Sequence, residues 1–287
     1  MSANLLRVAF VGLGEASHAY AMGSATAAAS MAYDLRAQTA RVQFRAKEAG
    51  LVCHATPHTG LTGAEVVFCL VTADQAAAAA QACAVHLRPG VLWLDGNSCS
   101  PGKKRQAAAV IEAIEGAYVD LAIMAPVHPR RHQTPGLVAG PHAARALALG
   151  QALGMNWQIV GDAVGDASSI KMLRSVMVKG IEALSAECLL AARKAGVEDV
   201  VLESLQASDP GWNWRDRGAY NLEWMMIHGT RRAAEMREVA ATLREFGLPD
   251  AMAVATAGWH ERLAALALDR GPDDLGNRAD RILAALL

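Results

Sequence analysis

Arg7-Val8-Ala9-Phe10-Val11-Gly12-Leu13-Gly14-Glu15-Ala16-Ser17 is the stretch whose reading decides the fold. The apolar run from Leu5 to Val11 reads as a buried strand, and it runs directly into two glycines. An Ala-rich segment of helix-forming composition follows from Ala16 to Ala29. Strand, glycine turn and helix together describe a dinucleotide-binding loop. Gly12 permits the tight turn, Gly14 lets the backbone approach a pyrophosphate, and the helix N-terminus offers N–H groups to the phosphates. The candidate cofactor loop is therefore Gly12, Leu13, Gly14, Glu15, Ala16 and Ser17. Ser17 stands where a third glycine usually serves helix–strand packing, and its hydroxyl is within reach of a phosphate. Two glycines after a strand also mark an ordinary turn, so the next strand matters. Met31-Ala32-Tyr33-Asp34 ends in a carboxylate about 20 residues beyond Gly14, the distance expected for a group on the adenosine ribose. Asp34 favours NAD, since a carboxylate repels a 2'-phosphate, while Arg36 leaves NADP open.

The 287 residues suffice for two domains. At 53% hydrophobic and 19% charged residues the balance is that of a globular chain with a large core. A net charge of −1 gives no reason to expect nucleic acid or an anionic membrane as partner. Cys53, Cys69, Cys83, Cys99 and Cys188 form no C-x-x-C pair. Core thiols in a reducing compartment are the plain expectation, and with them a cytoplasmic protein. The N-terminus lacks the shape of a signal peptide, and no apolar run is long enough to span a bilayer.

Along the chain, strands are expected at Leu51–His54, Glu65–Val71, Val91–Asp95, Tyr118–Met124, Leu137–Gly140 and Trp157–Val160. Helices are expected at Ala37–Ala49, Gln75–His86, Pro101–Glu115 and Pro141–Leu153. This alternation predicts an α/β, Rossmann-type N-terminal domain with a mostly parallel, doubly wound sheet over residues 1–163. In such sheets ligands sit beyond the carboxyl ends of the strands, which aligns Gly12, Asp34, Val71, Thr72, Ser98 and Pro126 along one edge. His128 and His132 lie in a Pro-rich loop with no acidic or cysteine partner nearby, so no metal is expected there.

From Gly165 the period changes to helical, and an all-α C-terminal domain is expected over 164–287. Its first helix runs to about Ala195, with Ile170, Leu173, Met177, Ile181, Leu184, Cys188 and Ala191 recurring at three- and four-residue spacing. A helix of about 30 residues is long for a globular domain and suits packing against a partner chain, which predicts a homodimer formed through the helical domain. Further helices are expected at Val200–Leu205, Tyr220–Phe246 and Ala251–Leu268. Lys171, Ser175 and Lys179 recur at i, i+4 and i+8 on the long helix, either as a solvated stripe or as groups facing a ligand. His228, Arg231, Arg232 and Glu235 share one face of a later helix. They read either as helix–helix salt bridges or as an anion-binding wall, because arginine offers a planar fork of donors.

These motifs resemble the β-hydroxyacid dehydrogenase superfamily, which includes 3-hydroxyisobutyrate and 6-phosphogluconate dehydrogenases. The resemblance extends over nearly the whole chain. It is strongest to a branch whose phosphogluconate-dehydrogenase-like C-terminal domain has long been catalogued as of unknown function. Asp95-Gly96-Asn97-Ser98-Cys99-Ser100-Pro101 resembles the family's substrate loop, which implies that Ser98 contacts substrate. Asp120 to Val127 resembles the Asp-Ala-Pro-Val motif with an insertion. Gly165-Asp166-Ala167-Ser168-Ser169-Ile170-Lys171 resembles the Gly-x-Gly-x-x-x-Lys signature, which implies that Lys171 is the catalytic lysine. Ser175 replaces the family's usual Asn. The resemblance further implies a cofactor role for Val71, Thr72 and Arg237, and substrate roles for His228 and Arg232; Lys179 joins the substrate set as a second cation.

The reaction implied is NAD(P)-dependent hydride transfer between nicotinamide and a small hydroxy or oxo acid, with Lys171 handling the hydroxyl proton. That role calls for a lysine pKa below its usual 10.4. The alternatives are an imine reductase, a phosphosugar acid dehydrogenase served by Arg232 and Lys179, and a nucleotide-binding sensor without turnover.

Overall fold

The computed structural model describes residues 6–24 and 30–286. Leu5 of the first expected strand and the last five positions of the helix expected over Ala16–Ala29 lie outside the described residues. The chain divides into two compact units, Met1–Met172 and Leu173–Leu287, and the division falls inside the long helix.

In the first unit, eight strands form one sheet: β1 (Val8–Val11), β2 (Met31–Tyr33), β3 (Val52–His54), β4 (Val66–Cys69), β5 (Leu92–Asp95), β6 (Ala117–Ile123), β7 (Gly136–Ala139) and β8 (Trp157–Gly161). Their order is β3-β2-β1-β4-β5-β6-β7-β8. Every pairing is parallel except β6 with β7. The intervening helices are α1 (Glu15–Gly23), α2 (Ala40–Glu48), α3 (Pro57–Gly60), α4 (Ala76–Ala84), α5 (Pro101–Glu112) and α6 (Ala143–Ala152), before α7 (Asp166–Ala195) begins. The single turn α3 was not foreseen. It exists because Pro57 presets the first helical position and Thr56 accepts from the Thr59 amide at 3.5 Å.

The sheet is apolar on both faces, as its continuous hydrophobic strands require. Phe10, Phe68, Leu92 and Leu94 point into one core layer. Their sequence neighbours Ala9, Val67 and Trp93 point into the other. Phe10 and Phe68 stack across adjoining strands with ring centroids 5.3 Å apart. Each such fully buried side chain contributes about 1.5–3 kcal/mol. Cys69, Cys83 and Cys99 are buried, Cys53 is half-buried and Cys188 is exposed, and no disulfide forms among them. Burial pushes the Cys53 thiol up to about 11 and that of Cys83 to about 12, and it raises Cys69 well above the usual thiol range.

In the second unit, the rest of α7 is followed by α8 (Glu198–Ser208), α9 (Trp214–Glu245), α10 (Ala251–Ala265) and α11 (Leu275–Leu286). The sequence reading missed α11 and started α9 six residues late. Asn213 caps α9 by accepting from the Asp216 amide, which lets the polar Trp214–Arg217 stretch join the helix. The core is built from Leu189, Leu190, Leu222, Met225, Met226, Leu263 and Ile282. Among the described residues no helix is long and apolar enough to cross a membrane.

The faces of α7 need a correction. Leu173, Met177 and Leu184 of the apolar stripe are 41%, 65% and 55% exposed, and Cys188 and Ala191 are exposed with them. The buried face instead carries Ser175, Lys179, Glu182 and Ser185 among alanines and leucines. Periodicity located a face but not its direction, because the polar residues of the opposite face find partners inside the unit.

Two glycines make the helical packing testable. A Cβ on Gly180 meets nothing within 4 Å, whereas one on Gly229 of α9 falls 2.3 Å from the His260 carbonyl oxygen on α10. Gly180→Ala is expected to stabilise the protein by about 0.5–1 kcal/mol through helix propensity alone. Gly229→Ala is expected to destabilise it by about 1–3 kcal/mol, because overpacking against backbone exceeds that gain. Urea unfolding of both variants checks the pair, and a stabilised Gly229→Ala contradicts the close crossing of α9 and α10.

Candidate active site

The glycine loop leaves β1 with Gly12 at φ +81°. A Cβ there would lie 2.9 Å from the Leu70 carbonyl oxygen and 2.8 Å from a Val71 methyl, so side chains are excluded by both conformation and space. Gly14 is the N-cap of α1, makes no side-chain cap, and has open space where a Cβ would be. The first turn of α1 thus presents its amides uncapped beside a surface clear of side chains. Glu15 is exposed and Ala16 half-buried at this turn, and Val71 and Thr72 lie just beyond the end of β4.

Asp34 is buried at the end of β2 and organises this loop. It accepts from the Leu13 amide at 2.7 Å through one oxygen and from the Arg36 amide at 2.7 Å through the other. The Arg36 guanidinium is exposed, with Nε 3.8 Å from the Asp34 carboxylate. Arg45, which the sequence reading passed over, donates to the Leu13 carbonyl at 3.3 Å. The Ser17 hydroxyl is fully buried and donates to the Gly12 carbonyl at 2.5 Å. It closes the loop from beneath instead of reaching outward to a phosphate.

At the ends of β5 and β6 the unit brings together Ser98 and Lys171. Lys171 Nζ donates to Ser98 Oγ at 2.7 Å, and both residues are half-buried. Behind them lies a network that the sequence reading did not find. Asp95 and Asp120 face each other across paired strands. Lys104 is buried, and its Nζ lies 3.1 Å from Asp95 Oδ1 and 3.3 Å from Asp120 Oδ1, and donates to the Asp95 carbonyl at 2.6 Å. Burial works to lower the Lys104 pKa, but the two carboxylates outweigh it and hold the ammonium above its ordinary range. Tyr118 donates to Asp95 Oδ2 at 2.7 Å, and burial followed by the same carboxylates raises its phenol well above the usual range. Asn97 donates to Asp95 Oδ1 from both its backbone amide, at 3.0 Å, and its side chain, at 2.7 Å. It also accepts from the Val71 amide at 2.6 Å. Asp120 Oδ2 accepts from the amides of Gly165, at 3.2 Å, and Ser168, at 2.9 Å, which caps α7. Asp95 and Asp120 were visible only as motif positions, and nothing local marks Lys104, since its partners lie 9 and 16 residues away.

The second unit collects the other candidates. Ser175 and Lys179 are buried, not solvated, and Lys179 Nζ donates to Ser175 Oγ at 3.0 Å while pairing with Glu235 at 3.0 Å. Glu235 also pairs with Arg231 at 2.6 Å. Arg232 binds the buried Glu182 through Nη1 and lies over the Trp224 ring at 4.6 Å. His228 packs against the same ring, with centroids 4.5 Å apart. Of the two readings of this α9 face, helix–helix salt bridging is therefore present. Glu182 continues the Lys171-Ser175-Lys179 series at i+11, which was the signal available for it. His260 on α10 is fully buried, 3.5 Å from Glu182, and burial reinforced by Arg232 lowers its pKa to about 4. Arg237 is more than half exposed and pairs with Glu261 at 2.6 Å. Among the described residues no three His, Cys, Asp or Glu side chains are placed to hold a metal ion.

Comparison with known proteins bears on this arrangement. Residues 192–263 match the family described as a domain of unknown function, DUF1932. A conserved hypothetical protein from Sinorhizobium meliloti 1021 is 37% identical, with 98% of this chain and 97% of that one covered at a TM-score of 0.76. A second conserved protein, of unknown function but described as structurally similar to 3-hydroxyacid dehydrogenases, is 32% identical over 91% of this chain and 99% of its own, with a TM-score of 0.70. An uncharacterised 28.5 kDa protein of Methanothermus fervidus is 28% identical over 165 residues, which is 58% of this chain, and the match spans 63% of that protein's length. At the level of fold alone, the 3-hydroxyisobutyrate dehydrogenase of Mycobacterium tuberculosis superposes with a TM-score of 0.74 at 14% identity, covering 98% of this chain and 99% of its own. With its eight-stranded sheet, helical C-terminal region and these relatives, the chain belongs to the β-hydroxyacid dehydrogenase superfamily, in the branch that carries the DUF1932 C-terminal domain.

Proposed function

We propose that the protein is an NAD(P)-dependent oxidoreductase that transfers hydride between nicotinamide and the carbinol carbon of a small hydroxy acid, with Lys171 as its acid–base group. The observation that carries this reading is the 2.7 Å bond from Lys171 to Ser98 in the unit that also holds the glycine loop. The loop fits a dinucleotide on its own terms. Gly12 keeps the turn clear, Gly14 leaves room for a pyrophosphate beside the uncapped start of α1, and Asp34, fixed to the Leu13 amide after β2, is the carboxylate proposed for the ribose. A nicotinamide dinucleotide held there supplies the hydride acceptor or donor.

The chain's own residues handle the proton. In the oxidative direction a neutral Lys171 amine accepts the hydroxyl proton as the carbinol hydrogen leaves as hydride; in reduction the ammonium returns it. Ser98, already within hydrogen-bond distance of Nζ, holds the lysine and a substrate oxygen in one line. Ser175, His228 and Arg232 are proposed to bind the remaining substrate oxygens, with Lys179 behind Ser175. Arg232 and Lys179 act there only through protons not already given to Glu182 and Glu235, which disfavours a phosphorylated substrate: each cation has its own buried carboxylate. The exposed apolar stripe of α7 supports the homodimer, and the buried thiols suit a reducing, cytoplasmic setting. Asp34 supports NAD over NADP.

Two measurements test the proposal. Lys171→Ala is expected to lower kcat/KM on the responding hydroxy acid by about 10²–10⁴-fold, with NADH affinity from fluorescence titration unchanged within about twofold. Wild-type protein that binds NADH but oxidises no hydroxy acid would favour the imine reductase or the sensor. NADH is expected to bind at least about tenfold tighter than NADPH, a difference of about 1.4 kcal/mol. Asp34→Asn should narrow that gap while weakening both cofactors, because the same carboxylate holds the Leu13 amide. Equal affinities in the wild type would remove Asp34 from the ribose site.

A further inference from the structure

We infer that Lys104 is a positioning residue that sets the distance between Ser98 and Lys171, an inference that rests on the reading of Lys171 as the acid–base group. Ser98 and Lys171 lie 73 residues apart, on a loop after β5 and on the second turn of α7. Each is located by one carboxylate. Asp95 fixes the Ser98 loop through the two bonds it accepts from Asn97. Asp120 fixes the start of α7 through the amides of Gly165 and Ser168. The side chain that reaches both carboxylates is Lys104, from α5, with its ammonium 3.1 Å from one and 3.3 Å from the other.

A buried ion cluster is not there for stability alone. Removing three charges from water is costly, and well-packed apolar substitutes are often as stable. What the charges supply is registry. An ammonium has three protons set at tetrahedral angles to one another, and here it donates to the Asp95 carbonyl while facing one carboxylate oxygen of each aspartate. Without the cation, two buried carboxylates on adjoining strands face each other and one takes up a proton. If that is Asp120, its cap on α7 weakens and Lys171 shifts relative to Ser98. The other titratable groups around the cluster are Tyr118, bonded to Asp95, and the thiols of Cys69 and Cys99. Gly165 reinforces the same junction: a Cβ there would meet Pro101 Cβ at 3.1 Å and an Arg105 nitrogen at 2.8 Å, so the approach to α7 lies directly on the turn that starts α5.

The test needs no substrate. Full-length wild type, Lys104→Met and Asp120→Asn are acetylated with acetic anhydride from about pH 7 to about pH 11, bracketing the lysine range, and Lys171 modification is quantified by mass spectrometry. Exposed Lys47 is the internal control. Asp120→Asn keeps a carbonyl oxygen for the α7 amides, so it remains informative if Lys104→Met folds poorly. The expected result is a Lys171 titration midpoint moved by about one unit, or a modification rate changed about tenfold, which is the same free energy. Lys47 should be unchanged, and NADH affinity retained. A Lys171 profile identical to wild type in both variants, with only the melting temperature lowered, overturns the inference and leaves Lys104 as scaffolding. Failure of the catalytic reading is a separate result, turnover that does not depend on Lys171, and it leaves any labelling shift standing as evidence of the tie.

Discussion

The Asp95–Lys104–Asp120 triangle is the constraint on which the ends of β5 and β6 and the start of α7 depend. Two carboxylates and one ammonium are buried together, so the cluster carries a formal charge of −1 inside the unit. Asp120 Oδ1 has no hydrogen-bond partner and faces the Lys104 ammonium at 3.3 Å, while neutral donors satisfy the other three of the four oxygens, through the Tyr118 hydroxyl, the Asn97 amide and the N-terminal amides of α7. The last of these brings the positive end of a 30-residue helix toward a carboxylate, a favourable pairing. The strand ends, the loop after β5 and the start of α7 are thereby held by one connected set of bonds.

The second unit solves the same problem differently. Along the buried face of α7, Lys179 is matched by Glu235 and Arg232 by Glu182, while His260 stays neutral between them. The cations are balanced within the helices, not held in reserve. What such a face offers outward is the direction of its residual N–H groups more than net attraction. The Trp224 ring, with Arg232 above it and His228 beside it, limits where those groups point.

How much of this was legible depends on the range of the interactions. The glycine turn and the alternation of strands and helices follow from local sequence, and they give the sheet and the family; that Asp34 also accepts from the Leu13 amide, 21 residues away, does not. The direction of the α7 face was not legible, because Leu173, Met177 and Leu184 carry a stronger periodic signal than Ser175, Lys179 and Glu182. Only partners on α9 and α10 make the polar side the inner one. Ser17 was read as a phosphate contact because its hydroxyl is the obvious donor in the loop; the carbonyl of Gly12, five residues back, competes for it and wins. Lys104 was invisible for the same reason of range, since a lysine in the first turn of a helix ordinarily points to water.

The distribution of sulfur has a practical side. Three of the five thiols are sealed in the sheet unit and a fourth, Cys53, has its ionisation suppressed by burial and by Asp34. Cys188 alone stands exposed, on the outward apolar stripe of α7. The natural chain therefore comes with a nearly unique attachment point for a maleimide fluorophore or spin label. A probe placed there reads out whatever covers or uncovers that helix face, without any change to the sequence.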